Sequence, residues 1–197
     1  MKVTLKILFI FFGLFQISCE NEQILYPVTV QDFSKFVEAT GYITDAEKFG
    51  WSIVQQTVYD FKTVPKATWR LPDGTHPAKI ENPVTQVSYN DAVAYCQWSG
   101  TRLPTYNEYW KIVSKDHRRI NVFFDSILPA KTVNLIGNVW EITTPENSQQ
   151  IRLAGGSYLC NKNTCDGTNR KRELIVDPMT GNIHVSFAVL VDKKDNL

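Results

Sequence analysis

The amino-acid sequence predicts an α+β fold with a few helices, a small sheet and long ordered loops. Three stretches combine an N-capping pattern with apolar residues at helical spacing. Segments rich in β-branched residues are short and alternate irregularly, which is typical of a small sheet. The 5 Trp, 8 Tyr and 11 Phe residues indicate that aromatic packing holds the loops together.

The three predicted helices begin where a side chain can cap the free backbone amides of the first turn. A carboxylate three positions later is expected to bond back to the capping residue. Gly41 and Gly100 mark the ends of the first two helices, since glycine commonly terminates helices. The three capping pairs are Thr29 with Asp32, Ser88 with Asp91, and Thr105 with Glu108.

Three further segments are predicted as strands: 57–64, Ile151–Ala154 and 184–191. The segment 64–83 between the first two helical regions contains four prolines and the turn sequence Asp73-Gly74. It is therefore predicted to be a long ordered loop, a kind of segment that often carries function.

The N-terminus predicts export. Residues 1–18 combine two lysines with an apolar run too short to span a membrane, as in a signal peptide. Ser18-Cys19 resembles the cleavage site of bacterial lipoproteins, which predicts lipidation of Cys19 and a single domain over 19–197. The alternative is an ordinary signal peptide cut near Ser18.

The net charge of the whole chain is +1, which gives no general attraction to nucleic acid.

Export changes the meaning of the cysteines. With Cys19 lipidated, Cys96, Cys160 and Cys165 remain, and an odd number implies a free thiol or a special site. The sequence Gly155-Gly-Ser-Tyr-Leu-Cys-Asn-Lys-Asn-Thr-Cys165 allows either a weak disulfide across a short loop or a reactive pair. The three histidines form no metal-ligand spacing with these cysteines, so zinc is poorly supported.

Five blocks of sequence now resemble a known family. They occur in the family's order and cover most of residues 28–170. The chain resembles the formylglycine-generating enzymes, the sulfatase-modifying oxygenases whose fold is distantly related to C-type lectins. The pattern GGS-x-x-C-x-x-x-x-C is the signature of the formylglycine-generating branch. The blocks are VTVQDFSKFVEATGYITDAEKFGWSIV, ATWRLPDG, NPVTQVSYNDAVAYCQWSGTRLPTYNEYW, NLIGNVWEIT and RLAGGSYLCNKNTC.

The resemblance implies a copper-dependent chemistry. Family members use O₂ to convert a cysteine in an extended sulfatase segment, Cys-x-Pro-x-Arg, to Cα-formylglycine. By position, Cys160 and Cys165 would hold copper(I), Ser157 would be the active-site serine, and Trp140 would line the oxygen and substrate pocket. Thiolates suit copper(I) because it is a soft ion.

The resemblance also implies a structural calcium ion. Its ligands would be the side chain of Asn134, the backbone carbonyls of Gly137 and Val139, and the carboxylate of Glu141, and hard oxygen donors suit calcium. The alternative is a turn with Gly137 at positive φ and Glu141 facing solvent or an arginine.

The chain departs from the family at several points. Ser186-Phe187-Ala188 replaces the family's Gly-Phe-Arg, and the stretch 110–134 is short. Some relatives pair the cysteine at Cys96 with one after Gly-Phe-Arg; none exists here, so Cys96 is predicted to be a buried free thiol. A second hypothesis is therefore a non-catalytic lipoprotein of the cell envelope, facing the periplasm or in the outer membrane, that binds a protein or glycan.

Overall fold

A computed structural model describes residues 22–57, 59–122, 126–146, 150–160, 163, 167–171 and 174–192. The predicted signal peptide, Cys19 and Cys165 lie outside these residues. The helices are α1 (Val30–Thr40), α2 (Asp45–Phe49), α3 (Tyr89–Ser99) and α4 (Tyr106–Val113). The strands are β1 (Gln23–Pro27), β2 (Trp51–Gln55), β3 (Phe61–Pro65), β4 (Trp140–Ile142), β5 (Ile151–Ala154), β6 (Leu174–Val176), β7 (Val185–Ser186) and β8 (Ala188–Asp192).

The predicted helix starts are present, with one difference in detail. α3 and α4 each begin with the complete reciprocal capping arrangement. At α1, Thr29 accepts the backbone N–H of Asp32 as expected. The Asp32 carboxylate, however, accepts the hydroxyls of Thr29, at 2.7 Å, and Tyr26, at 3.3 Å. The reciprocal bond is replaced because a neighbouring tyrosine competes for the carboxylate.

The strand predictions were less accurate. β5 has the predicted bounds, but the segment predicted over 57–64 is β3, which pairs with the unpredicted β2. The segment predicted as one strand over 184–191 divides at Phe187. β7 pairs in parallel with β4, whereas β8 pairs antiparallel with β1. A chain that leaves one sheet for another must interrupt its pairing, and this break could not be predicted from local composition.

The four-stranded sheet, ordered β6-β5-β4-β7, separates two apolar cores. Because side chains alternate across a strand, Trp140 and Ile142 face the larger core, which α1 and α3 cover. Glu141 lies on the opposite face, with its register partners Ala154 and Ser186. That face contacts the smaller core, which contains Tyr106, Tyr109 and Trp110 of α4. The sheet thus places the acidic side chain of Glu141 against an apolar layer.

Cys96 lies in α3 as a buried free thiol, which confirms the prediction. Burial raises the pKa of this thiol to about 11, so it is protonated at neutral pH and packs as a small apolar side chain. None of the helices in the described ranges is long and apolar enough to cross a membrane.

Candidate active site at the Ser157–Cys160 turn

Two glycines after β5 create the turn that carries Ser157 and Cys160. Gly155 and Gly156 both have positive φ, 89° and 77°, a region that glycine enters without strain. A Cβ at Gly155 would overlap the Tyr109 hydroxyl, and one at Gly156 would lie 2.6 Å from Cα of Gly167. The backbone at Gly155 and Gly156 therefore lies so close to its neighbours that no Cβ would fit. This close approach determines where the turn begins.

The turn is tied to the loop that precedes β4. The Gly137 N–H donates to the Gly155 carbonyl at 2.7 Å, and the Tyr158 N–H donates to the Asn138 carbonyl at 2.9 Å. The Asn138 side chain exchanges hydrogen bonds with the backbone of Leu128 at 2.9 and 3.0 Å. The loop that precedes β4 and the Ser157–Cys160 turn therefore form one hydrogen-bonded unit.

Within the turn, Ser157 surrounds the Cys160 sulfur with polar atoms. The Ser157 N–H donates to Sγ at 3.2 Å, and Oγ lies 3.8 Å from Sγ. The Cys160 N–H closes the turn on the Ser157 carbonyl at 2.9 Å. Both residues are almost completely buried, at 0% and 1% exposure. The predicted pair Ser157 and Cys160 is thus brought together as a small buried polar site.

His184 also belongs to this site, although no sequence pattern pointed to it. Its Nδ1 lies 3.1 Å from Oγ of Ser157. Burial lowers the pKa of His184 to about 4, so the imidazole is neutral at physiological pH. A helix or strand period could not reveal this contact, because the two residues are 27 positions apart on segments that meet only through the sheet.

Trp140 reaches the same region through the backbone. Its N–H donates to the His184 carbonyl at 2.8 Å, and its side chain is 5% exposed. Trp140 and Cys160 belong to the same apolar core. The structure therefore brings Trp140 into the neighbourhood of the turn, with its ring packed in the larger core.

Cys160 is disulfide-bonded in this structure. Cys165, the partner expected from the sequence, lies outside the described residues. Of the two alternatives that the sequence left open, the structure describes the oxidised form at Cys160.

A cavity of about 380 Å³ opens beside the turn. Its floor is formed by the two residues between Ser157 and Cys160, and its far wall by β2 and the proline-rich loop. Neither Ser157 nor Cys160 is among the residues that line it. The lining residues are Val54, Gln55, Gln56, Asp73, Tyr158, Leu159 and Ile183.

The predicted calcium ligands differ in whether their side-chain oxygens already accept a hydrogen bond. Asn134 Oδ1 accepts the Ile136 N–H at 2.8 Å, and its amide donates to the Asp116 carbonyl at 2.8 Å. Glu141 is 1% exposed, and its Oε2 has no hydrogen-bond partner in the part of the chain that the structure describes. Burial raises the pKa of this carboxyl to about 8. The alternative in which Glu141 faces solvent was therefore wrong, although Gly137 does have positive φ.

An orphaned buried carboxylate oxygen calls for a cation, a proton or a water molecule. Among the described residues, no three His, Cys, Asp or Glu side chains converge on a common point. A site here would therefore depend on one carboxylate together with amide and carbonyl oxygens, the donor set that the family resemblance implies.

Comparison with known proteins identifies the fold and the family. The solved structure of PvdO from Pseudomonas aeruginosa superposes with a TM-score of 0.59 at 12% identity, over 85% of this chain and 78% of that chain, which shows a shared fold. Residues 24–118 match the model of the Sulfatase-modifying factor enzyme 1-like domain.

Two curated relatives illustrate the range of similar proteins. Mouse Inactive C-alpha-formylglycine-generating enzyme 2 is 30% identical over 79% of this chain and 68% of its own length. The formylglycine-generating enzyme of Thermomonospora curvata is 40% identical over 46% of this chain and 35% of its own length. The chain therefore belongs to the formylglycine-generating enzyme family, which confirms both the resemblance and the predicted fold class.

Proposed function

We propose that this chain uses O₂ and copper(I) to convert a cysteine in an exported target protein to Cα-formylglycine. The observation that carries the proposal is the buried Ser157–Cys160 turn beside an open cavity. The target would be an extended sulfatase-type segment with the sequence Cys-x-Pro-x-Arg. Relatives named as formylglycine-generating enzymes support the general activity.

The described half of the site fits copper(I). Cys160 provides a buried soft donor, and the N–H of Ser157 points at its sulfur. Such a donor favours copper(I) over hard ions, and the bound ion would supply the redox chemistry that O₂ needs. Cys165 is proposed as the second ligand on the basis of the family resemblance.

The overall reaction requires an external reductant. Converting –CH₂–SH to –CHO releases sulfide and two electrons, whereas O₂ takes four electrons and ends as the aldehyde oxygen and water. Two external thiol groups therefore supply two electrons and two protons, and are oxidised to a disulfide. The same class of thiol would reduce the Cys160 disulfide before the first turnover.

The protein's own residues would bind the target peptide and orient it at the site. The cavity beside Tyr158 and Leu159 has room for a peptide segment next to the turn. Trp140 and Cys160 are buried in the same apolar core, and burial of this kind would strengthen each polar contact in the site. Ser157 supplies an N–H and a hydroxyl at the sulfur.

We also propose that calcium binds Asn134, Gly137, Val139 and Glu141. The orphaned Oε2 of Glu141 supports this assignment. The ion would stabilise the loop that hydrogen-bonds to the Ser157–Cys160 turn. The anchoring of the chain in the cell envelope through a lipid on Cys19 is a further part of the proposal and rests on the N-terminal sequence.

A second candidate is a non-catalytic envelope protein that uses the same scaffold to bind a protein or glycan. One observation favours it: the mouse relative that aligns with 79% of this chain is named as inactive.

The two candidates differ in whether the protein binds copper(I). Reduced wild-type protein should bind copper(I), Cys160→Ser should lose this binding, and Cys96→Ser should retain it because Cys96 is buried in α3. Absence of copper(I) binding by the reduced wild type would support the second candidate.

A further inference from the structure

His184 is the buried histidine of the three in the chain. The His76 side chain is 85% exposed, and His117 is also exposed, whereas His184 is 6% exposed. A buried polar ring costs free energy unless it is hydrogen-bonded. Its one described side-chain contact is the hydroxyl of Ser157, so its presence at this position is tied to Ser157.

The backbone of His184 already has its own role. Its carbonyl accepts the Trp140 N–H as β7 begins to pair with β4. Strand pairing of this kind is independent of the side chain, so the fold does not require an imidazole here. The side chain is therefore available to hydrogen-bond to Ser157, and the start of β7 holds it in place.

The hydrogen bonds around Ser157 allow few arrangements. Its Oγ already accepts the Leu159 N–H at 3.3 Å, and a hydroxyl has one proton to donate. Two acceptors lie within reach, Nδ1 of His184 at 3.1 Å and the weakly accepting sulfur of Cys160 at 3.8 Å. The nitrogen is the nearer and the stronger acceptor.

We propose that His184 is a positioning residue for Ser157. Its Nδ1 accepts the Ser157 hydroxyl proton, and this bond directs the remaining lone pair of Oγ toward the sulfur of Cys160. When the disulfide is reduced, the Cys160 thiol then has a fixed hydrogen-bond acceptor. The inference rests on the proposed function only in taking Cys160 as the reacting sulfur.

The ring tautomer tests the arrangement directly. In wild-type protein labelled with ¹⁵N at histidine, the His184 signals are assigned by their loss in His184→Asn. We expect Nδ1 to be the unprotonated nitrogen and its resonance to shift in Ser157→Ala. His117→Asn is the control and should leave the His184 signals unchanged. A protonated Nδ1, or no response to Ser157→Ala, would overturn the proposal.

The second test is the equilibrium between the Cys160 disulfide and a thiol buffer, which involves neither copper nor O₂. His184→Phe fills the space but cannot accept a hydrogen bond, so it should favour the disulfide by about threefold to tenfold, as for loss of one hydrogen bond. His184→Asn keeps an acceptor atom on Cγ and should remain within about twofold of wild type. In a Ser157→Ala background, His184→Phe should have no further effect.

The outcomes separate this inference from the proposed function. If His184→Phe equals wild type, or if Asn and Phe variants shift the equilibrium equally, His184 does not position Ser157. If the equilibrium shifts as expected but the protein converts no target peptide, the positioning role stands and the oxygenase proposal fails.

Discussion

Glu141 and Ser186 lie opposite each other on the parallel strands β4 and β7, and each has a buried side-chain oxygen without a partner among the described residues. Both side chains lie on the face of the sheet that contacts the smaller core, where burial, followed by the nearby Glu141 carboxylate, raises the pKa of the Tyr109 hydroxyl. Ser186 stands where the family resemblance implies glycine, so this chain adds a hydroxyl next to the orphaned carboxylate. Unpaired buried oxygens in a native fold call for a cation, a proton or a water molecule.

The first prediction concerns calcium. If calcium binds Glu141, it should stabilise the folded protein by about 2.7 kcal/mol at a concentration one hundred times its Kd. This corresponds to a rise in Tm of roughly 5–11 °C for a chain of this size. Glu141→Gln should abolish the rise, and Glu81→Gln, at an exposed position, should retain it. Equal stabilisation of all three proteins would exclude Glu141 as a ligand.

The second prediction concerns pH in the presence of a chelator. Burial raises the pKa of Glu141 from 4.5 to about 8, so the folded protein keeps a proton that the unfolded chain releases. The resulting stabilisation is complete below pH 4.5 and is lost as pH rises toward 8, at up to ~1.4 kcal/mol per pH unit. Urea unfolding across this range should show a less negative slope in Glu141→Gln. Identical pH dependence in the two proteins would contradict the assignment.

The third prediction concerns Phe187, the residue at which the chain passes from β7 to β8. It is completely buried, and its ring lies 5.4 Å from Tyr95 and 6.3 Å from Phe33. Phe187→Ala should lower the free energy of unfolding by about 3–5 kcal/mol because it leaves a cavity in the larger core. Phe61→Ala, at a ring that is 65% exposed, should change it by less than about 0.5 kcal/mol. A loss of similar size in both variants would show that Phe187 is not a core residue.

The fourth prediction concerns Asp91 at the start of α3. Its carboxylate accepts the Tyr42 hydroxyl and the backbone N–H groups of Asp45 and Ser88. Asp91→Ala leaves these donors without an acceptor and should lower the free energy of unfolding by about 2–5 kcal/mol. Asp60→Ala, at an exposed position, is the control. Retention of wild-type stability by Asp91→Ala would mean that water replaces the carboxylate.

Local chemistry predicted some parts of this molecule well. The caps at Ser88 and Thr105 depend on residues three positions apart, and the sequence shows them directly. Burial of Cys96 followed from its place on a helix face. His184 could not be predicted, because its contact with Ser157 depends on how β7 pairs with β4. For the proposed calcium and copper ligands, the family resemblance supplied residues that periodicity could not, because most of them lie outside regular helices and strands.

The division of 184–191 at Phe187 shows the same limit on a larger scale. The segment has suitable composition for one strand, and each half does pair. Which sheet each half joins is decided by contacts with β4 and β1, both distant in sequence. The helix α2, with its own capping pair Thr44 and Glu47, was missed because its five residues are too few for a periodic signal.

The central claim is tested most directly by turnover of a synthetic peptide containing Cys-x-Pro-x-Arg. Reduced wild-type protein, loaded with copper(I) and supplied with O₂ and an external thiol, should replace the sulfur and two hydrogens of the cysteine by oxygen. Mass spectrometry and an aldehyde-reactive probe detect the product. We predict turnover by wild type and by Cys96→Ser, and none by Cys160→Ser. Absence of aldehyde from wild-type protein that has bound copper(I), or undiminished turnover by Cys160→Ser, would contradict the account.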